Sequence, residues 1–565
     1  MLEIRDVSLR DGEHSLLESI NARYPKGHFG AIIGPSGCGK TLLLKLLVGI
    51  ASGEEDGAVF WNGRNLHDED FRFSELSYVP QFSIAHEDLT VRECIECAFR
   101  LRVRDQDGSL TGLAVNRLLD EVQMSASADQ PVKLLSGGQR RRLALAMEMT
   151  NQPEILLCDE VTSGLDPQAE DDIVHLLHEI SKSGRRLVLS VTHSLEHLEI
   201  YDSVLVMWQG SVAYHGVPGN LASHFGIDHP REVYKRLADQ TGAEWSSARS
   251  EHQEFAAWGA NEITKQHDGN FPRATTDPEP KPPSVLSQFA TLLRRRLLVF
   301  FRNRAQVLLQ VGLVLGFPLL VTLFAWNGLP SVMNLSLGLT PDVAKQFSEA
   351  QEYVAQASRI GSLVSGIAMF QVILLALMGA NNSGREIAVE RLVFEKEKLS
   401  GLSTAAYVAS KVTFLFLLVV IQSVWMGLFV HFVCGLPGNL PTQLLFLLLV
   451  NTAITAVCLG ISSLATSAEV ASLVSIYLVG FQLPLSGAVL ALPEMVGTLA
   501  RPFIAAYWAW SGILQTLRAE QYYDIVEAVV QSPLAPTALC IWVLCVQIIV
   551  GVLVTWVGCA RRQLP

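Results

Sequence analysis

The sequence predicts an α/β P-loop domain followed by an all-α six-helix transmembrane domain. Three observations carry this expectation. A phosphate-loop pattern, Gly34-x-x-x-x-Gly39-Lys40-Thr41, stands between an apolar run and a helical one. Six apolar runs of about 20 residues, each long enough to cross a bilayer, all fall in the second half of the chain. Charge divides the same way: net −17 over the first 280 residues, +5 from Lys281 onward. Whole-chain averages hide this division. The 565 residues are 49% hydrophobic and 17% charged, against roughly 25% charged in ordinary soluble domains. Mean hydropathy is +0.30. A net charge of −12 argues against a protein that grips nucleic acid through bulk positive charge, so no nucleic-acid partner is expected.

Taken in order, Phe29–Ile33 reads as a buried strand. The loop Gly34, Pro35, Ser36, Gly37, Cys38, Gly39, Lys40, Thr41 follows, and Leu42–Ile50 continues as a helix. The glycines let backbone N–H groups curl around phosphate oxygens at a helix N-terminus. Lys40 is placed to reach the β/γ-phosphates and Thr41 to bind Mg²⁺, so ATP and Mg²⁺ are the expected cofactors. A second apolar strand, Ile155–Asp159, ends in two carboxylates. Asp159 is the candidate metal ligand and Glu160 the candidate general base for the attacking water. Cys94-x-x-Cys97 lacks a second ligand pair and reads as a helix face rather than a zinc site. The nine cysteines otherwise read as small apolar filler on a reducing, cytosolic side.

The first domain is expected over residues 1–239. A polar stretch at 240–284, ending in the proline-rich Asp277–Pro283, reads as a flexible linker. An amphipathic helix at 285–304 with an arginine cluster is expected at the cytoplasmic membrane interface. The transmembrane domain takes 305–565, with spans at Gln306–Trp326, Gly361–Ala380, Val412–Cys434, Gln443–Thr466, Val470–Leu492 and Thr537–Cys559. Lys and Arg gather before the first span, between the second and third, and after the last. This predicts a multi-pass protein with both termini cytoplasmic. Met1–Arg10 carries no charged-then-apolar leader.

Further motifs make the first domain specific. Leu135, Ser136, Gly137, Gly138 and Gln139 resemble the ABC signature, Gln81 the Q-loop, Ser163–Asp166 the D-loop and His193 the switch histidine, all in ABC order. The resemblance implies an ABC-type ATPase. Gln81 would assist at the metal, His193 would act with Glu160, and Asp166 would lie at the nucleotide. It also implies a composite site, in which Ser136, Gly137, Gly138 and Gln139 meet the ATP held by a second chain, so a homodimer is expected. Two positions depart from the family. No aromatic stands near Asp11, where one usually stacks on adenine, and Val161 replaces the usual proline after the catalytic glutamate.

The domain order, ATPase first and six spans second, resembles the G-type (White-type) ABC half-transporters, and most closely bacterial members exporting lipid-linked material. Arg385, Glu386, Glu390, Arg391, Phe394, Gly401, Tyr407 and Lys411 resemble that group's loop between spans two and three. This implies a cell-membrane exporter of amphipathic or lipid-like cargo. Glu390, Arg391, Phe394 and Glu397 are the expected coupling residues, with Leu392, Phe394 and Leu399 able to seat in a groove of the ATPase. In G-type transporters the second and fifth spans face the dimer axis, so Met369, Phe370, Gln371, Phe481 and Leu485 are expected to line the substrate cavity. Pro484 is expected to break the fifth span and Gly487 to shape an upper gate. A membrane ATPase that regulates or gates without cargo of its own is the alternative.

Overall fold

A computed structural model describes residues 1–66, 75–81, 85–104, 109–242, 244–245, 283–326, 328–330, 343–488, 493–518, 522–530 and 532–561. The linker read at 240–284 lies almost wholly outside these residues, as do 489–492 of the predicted fifth span and Arg562. The chain forms two compact units. The first comprises Met1–Thr291 together with Lys396–Leu402; the second holds the other described residues from Leu292 onward.

The first unit is α/β. Strands β1 (Leu2–Asp11), β2 (His14–Tyr24), β4 (Glu54–Trp61) and β5 (Arg64–Asn65) form an antiparallel sheet in the order β2-β1-β4-β5. A six-stranded sheet runs β10-β9-β3-β8-β7-β6, from β3 (Phe29–Ile33), β6 (Leu76–Val79), β7 (Ile155–Asp159), β8 (Leu187–Val191), β9 (Ser203–Trp208) and β10 (Ser211–Gly216). All but the β9–β10 hairpin pair in parallel. Every residue of β3, β7 and β8 is buried, as expected of parallel strands covered on both faces. The helices are α1 (Lys40–Leu47), α2 (Val91–Arg102), α3 (Ser109–Glu121), α4 (Gly137–Glu148), α5 (Pro167–Ser183), α6 (Leu221–Phe225) and α7 (Val233–Leu237).

Helix starts follow local chemistry. Thr90 and Glu93 close a capping box on α2, Ser136 and Gln139 close another on α4, and Asp166 caps α5 ahead of Pro167. The signature and D-loop motifs therefore begin helices by capping them.

The second unit is all-α: α8 (Val285–Arg302, its first turns belonging to the first unit), α9 (Arg304–Thr322), α10 (Val343–Ser383), α11 (Glu386–Leu399), α12 (Thr404–Cys434), α13 (Leu440–Leu464), α14 (Ala468–Leu485), α15 (Glu494–Ala500), α16 (Ala505–Gln515), α17 (Tyr522–Val529) and α18 (Thr537–Ala560). Among the described residues, six helices are long and apolar enough to cross a membrane. The second is far longer than its apolar core: the 41-residue α10 rises about 62 Å, twice the roughly 30 Å of hydrocarbon. The fifth, α14, stops one residue after Pro484. A Cβ at Gly487 (φ +75°) would stand 2.4 Å from Ser532 Oγ, so that turn requires glycine.

Several polar side chains inside the spans bond to one another, as hydrocarbon favours. Gln310 donates to Asn382 (2.6 Å), Asn382 to Gln422 (3.1 Å) and Gln422 back to Gln310 (3.1 Å), a closed ring of three carboxamides across α9, α10 and α12. Asn451 of α13 joins by donating to Gln422 and Ser423. Gln482 accepts the backbone N–H of Ala506. Within the arginine cluster of α8, Arg295 and Arg296 are buried. Arg296 is spent on a protein carboxylate, Glu386, rather than on lipid headgroups.

His28, at the entry to β3, is buried with Nε2 2.8 Å from Ser203 Oγ. Burial drives its imidazole down to about 4; Lys182 pushes the same way and Asp202 against it. A histidine kept neutral in the fold stabilises it fully above about pH 6.5, and that contribution drains away as pH falls toward 4. The expected loss is up to about 3 kcal/mol at 1.36 kcal/mol per pKa unit. Thermal melting of wild type and His28→Asn at pH 7 and 4.5 checks this: the wild type should lose more on acidification.

Candidate functional site

The phosphate loop leaves β3 and enters α1 through three glycines with positive φ: Gly34 (+156°), Gly37 (+82°) and Gly39 (+103°). A Cβ on Gly34 would lie 2.5 Å from Met207 O, so neighbouring β9 excludes any side chain there. Lys40, 4% exposed, donates to the carbonyls of Gly34 (2.9 Å) and Pro35 (2.8 Å). The ammonium is thus held over the loop's own backbone, where a β/γ-phosphate would otherwise take it. Cys38 is buried within the loop and its thiol is pushed up, chiefly by burial.

Strand order brings the carboxylates to this loop. β7 runs parallel to β8, whose partner is β3, and its end delivers Asp159 to Thr41. Thr41 Oγ1 donates to Asp159 Oδ1 at 3.0 Å, and the Tyr78 hydroxyl donates to Oδ2 at 3.0 Å. Burial pushes the Asp159 carboxyl up, and the hydrogen bonds from Thr41 and Tyr78 work against that rise. Both oxygens facing each other here are hard donors. Their 3.0 Å separation matches the edge of an octahedron of oxygens about 2.05 Å from Mg²⁺, about 2.9 Å, so the residues fit the metal.

Glu160 follows with φ +47°, a left-handed backbone costing on the order of 1–3 kcal/mol for a non-glycine residue. Its N–H bonds to Val191 O and its carbonyl accepts from Ser163 N, while Val161 beside it is fully buried. Both carboxylate oxygens are engaged: Gln81 Nε2 donates to Oε2 (2.8 Å), and His193 Nε2 lies 2.7 Å from Oε1. The sequence-predicted Gln81, Asp159, Glu160 and His193 thus converge with Lys40 and Thr41 on one pocket.

Ser136 Oγ accepts from Gln139 N, and ideal Cβ atoms on Gly137 and Gly138 would meet Leu165 and Ala169, the D-loop and the first turn of α5. Asp166 spends its side chain on the N–H of Ala169. Asp11 sits at the exposed tip of the β1–β2 hairpin.

Two buried carboxylates went unassigned by sequence reasoning. Glu148, the last residue of the signature helix α4, is 2% exposed and held by Arg102 (2.9 Å) and by Lys396 (2.8 Å), a residue of the same unit. Burial alone would raise its carboxyl, but the two cations outweigh burial and hold it below the usual range. Glu386, at the start of α11, is clamped by Arg296 (2.6 Å) and Lys411 (2.9 Å). Of the expected coupling residues, Glu390 pairs with Lys411 and Arg391 donates to Ser463 O. The Glu397 carbonyl accepts from Ser400 and Leu402 at the end of α11. Phe394 is buried and stacks on Tyr407 at 4.0 Å inside the second unit. Leu392 is exposed.

A cavity of about 650 Å³ opens in the second unit among Phe324, Ser362, Gly366, Phe370, Leu483 and Val530. Met369 and Phe370 line it as expected. Gln371 is buried on another face of α10, Phe481 is 60% exposed on the outside of α14, and Leu485 packs on the helical core, so these three are not among its walls. Among the described residues, no ionisable side chain lines it.

Comparison with known proteins bears on these two halves in turn. Residues 17–163 match the ABC transporter ATPase model and 287–516 the ABC-2 type transporter membrane model. The chain belongs to the ABC transporter family. It is 29% identical over 95% of its length to an ABC transporter ATP-binding/permease protein of Mycobacterium tuberculosis, of which it spans 59%. Over 42% of the chain it is 30% identical to a sulfate/thiosulfate import ATP-binding protein of Pseudomonas syringae, covering 73% of that protein. A counterpart from Synechococcus elongatus is 32% identical over 39% of the chain, covering 63% of it. The first relative matches across both units and the importers across the ATP-binding half alone, the arrangement of an ABC-2 type transporter with fused ATPase.

Removing one partner from a buried ion pair costs about 3–5 kcal/mol. Glu386→Ala, which leaves Arg296 and Lys411 buried without a counter-charge, should therefore lower the melting temperature by several degrees. Glu397→Ala should shift it far less; equal shifts would remove Glu386 from its role as the clamp.

Proposed function

We propose that this chain is an ATP-driven transporter that moves amphipathic or lipid-like cargo outward across a bacterial cell membrane. It works as a homodimer with both termini cytoplasmic. The observation that carries the reading is the convergence of Lys40, Thr41, Asp159, Glu160, Gln81 and His193 on one pocket, in a chain that also folds an ABC-2 type membrane unit with an apolar cavity.

The chemistry follows from the residues. Mg²⁺, held by Thr41 and Asp159 with Gln81 nearby, supplies charge neutralisation on the phosphates when ATP is bound. Lys40 and the loop N–H groups Gly37–Leu42 position the phosphates. Glu160 accepts a proton from the attacking water as its oxygen bonds to the γ-phosphorus and the bridging oxygen to the β-phosphate departs. His193 orients Glu160 from the other side. Before that, Gln81 must release the carboxylate oxygen it holds here, while His193 keeps the other. Closure by a second chain brings Ser136, Gly137, Gly138 and Gln139 to the nucleotide. Single copies of each motif in the chain favour two identical halves.

Coupling is assigned to Lys396 and Glu148 alongside Glu390, Arg391 and Glu397, since the Glu148 ion pair ties the end of the signature helix to the end of α11. Phe394 serves that assembly from inside, by fixing α11 on Tyr407. The cavity volume falls in the roughly 300–1,000 Å³ range of small-molecule pockets, and its walls suit an apolar chain rather than a charged group.

Two outcomes test this reading in the protein reconstituted in lipid. Glu160→Gln should retain ATP while hydrolysis falls by at least about 10²-fold, the usual contribution of a general base. Near-normal turnover would remove Glu160 from the chemistry. Gly366 has open space where a Cβ would stand, so Gly366→Leu fills the cavity. It should abolish stimulation of ATP hydrolysis by molecules that co-purify with the Glu160→Gln chain, and unchanged stimulation would place the cargo elsewhere.

A further inference from the structure

Asp159 carries two oxygens in a place only 3% exposed, and each has its own donor. Oδ1 accepts from Thr41, the partner with which it would share the metal. Oδ2 accepts from Tyr78, which the nucleotide motifs do not include. Tyr78 lies on β6, whose register pairs it with Leu157, two residues before Asp159 on β7. Its ring packs half-buried against the core of the first unit, and the hydroxyl reaches forward along the strand direction to the carboxylate. Three residues further along the same segment stands Gln81, which holds Glu160. Strand β6 and the two residues after it therefore touch both acidic residues of the site, one through Tyr78 and one through Gln81.

We infer that Tyr78 is a positioning residue for Mg²⁺: by occupying Oδ2 it fixes the rotation of the Asp159 carboxylate and leaves Oδ1 as the oxygen offered to the metal beside Thr41. This rests on the reading of the pocket as an ATP and Mg²⁺ site. A carboxylate held at one oxygen presents the other at a set angle, and the tight octahedral demands of Mg²⁺ make that angle count. Outer partners of this kind typically carry 10–100-fold of metal affinity. Without the phenol hydroxyl, Oδ2 loses this donor and the carboxylate can rotate away from Thr41.

The test uses the full chain in detergent, in a Glu160→Gln background so that nucleotide persists. Binding of a fluorescent ATP analogue is followed as Mg²⁺ is added, with Tyr78 intact or as Tyr78→Phe. The expected result is a rise of about tenfold or more in the Mg²⁺ concentration at half-saturation for Tyr78→Phe. Analogue affinity in EDTA should stay within about twofold, and melting temperature without nucleotide should fall by at most a few degrees, because the phenyl ring keeps its packing and only the donor to Oδ2 is lost. Mn²⁺ binding to the nucleotide complex, followed by its magnetic resonance signal, should weaken in parallel and gives a readout independent of the fluorophore. An unchanged Mg²⁺ midpoint would overturn the inference. So would equal losses of metal-free affinity and melting temperature, which would make Tyr78 a packing residue only. Failure of the Glu160→Gln chain with Tyr78 intact to bind the analogue at all would instead overturn the ATP-site reading, and this inference with it.

Discussion

A carboxylate taken out of water must find positive charge, and two such groups organise this chain. Glu386 and Glu148 are each held between one arginine and one lysine: Arg296 with Lys411, and Arg102 with Lys396. Neither pair of cations comes from the helix that carries its carboxylate, so each cluster locks separate segments together. Desolvation makes such clusters indifferent contributors to net stability but severe to break, since any lost partner leaves a buried charge. Within each unit, these clusters join α2 to α4 and α8 to α11 and α12. The carboxamide ring of Gln310, Asn382 and Gln422 obeys the same logic without charge, where hydrocarbon leaves no other partner.

The nucleotide pocket satisfies itself by the same bookkeeping. Lys40 rests on its own loop, Thr41 on Asp159, and Glu160 between Gln81 and His193. Each of these bonds is made to a group that the chemistry needs for something else. Nucleotide and metal would exchange internal partners for better ones rather than enter an unformed site. The strained backbone of Glu160 fits that picture, because surrounding hydrogen bonds over-determine its place.

Much of this was legible in the residues. A strand, a glycine loop and a helix have few ways to fold, so β3, the loop and α1 stand where the pattern placed them. The signature serine and D-loop aspartate double as helix caps, which their spacing from Gln139 and Pro167 already implied. What sequence could not supply was which face a helix turns inward. Phe394 was recognisable as an anchor, but not that its anchor is Tyr407. Arg296 looked like a headgroup-seeking residue because charge pattern cannot reveal that Glu386 lies opposite. Gln371, Phe481 and Leu485 sit on the expected helices, yet only rotation about those helices decides who faces the cavity. Tyr78 carried a weak signal: an aromatic hydroxyl three residues before Gln81, on a strand next to the acidic one.

Helix α16 has a consequence for how the membrane unit is assembled. Its ten residues from Ala505 to Leu514 are all buried, yet 11 residues rise only about 16.5 Å, half of the hydrocarbon thickness. A segment that short cannot be inserted as an independent span. Its surroundings come from elsewhere in the chain: Gln482 takes the Ala506 N–H, the Ser365 carbonyl takes the Trp510 indole, and Ser511 exchanges hydrogen bonds with Ala535, just before α18 begins. The segment that leads into α18 therefore supplies part of the wall around α16. Helix α16 is thus a tryptophan-bearing plug in a cleft whose wall the segment leading into α18 helps to complete, so its place depends on residues far apart in sequence.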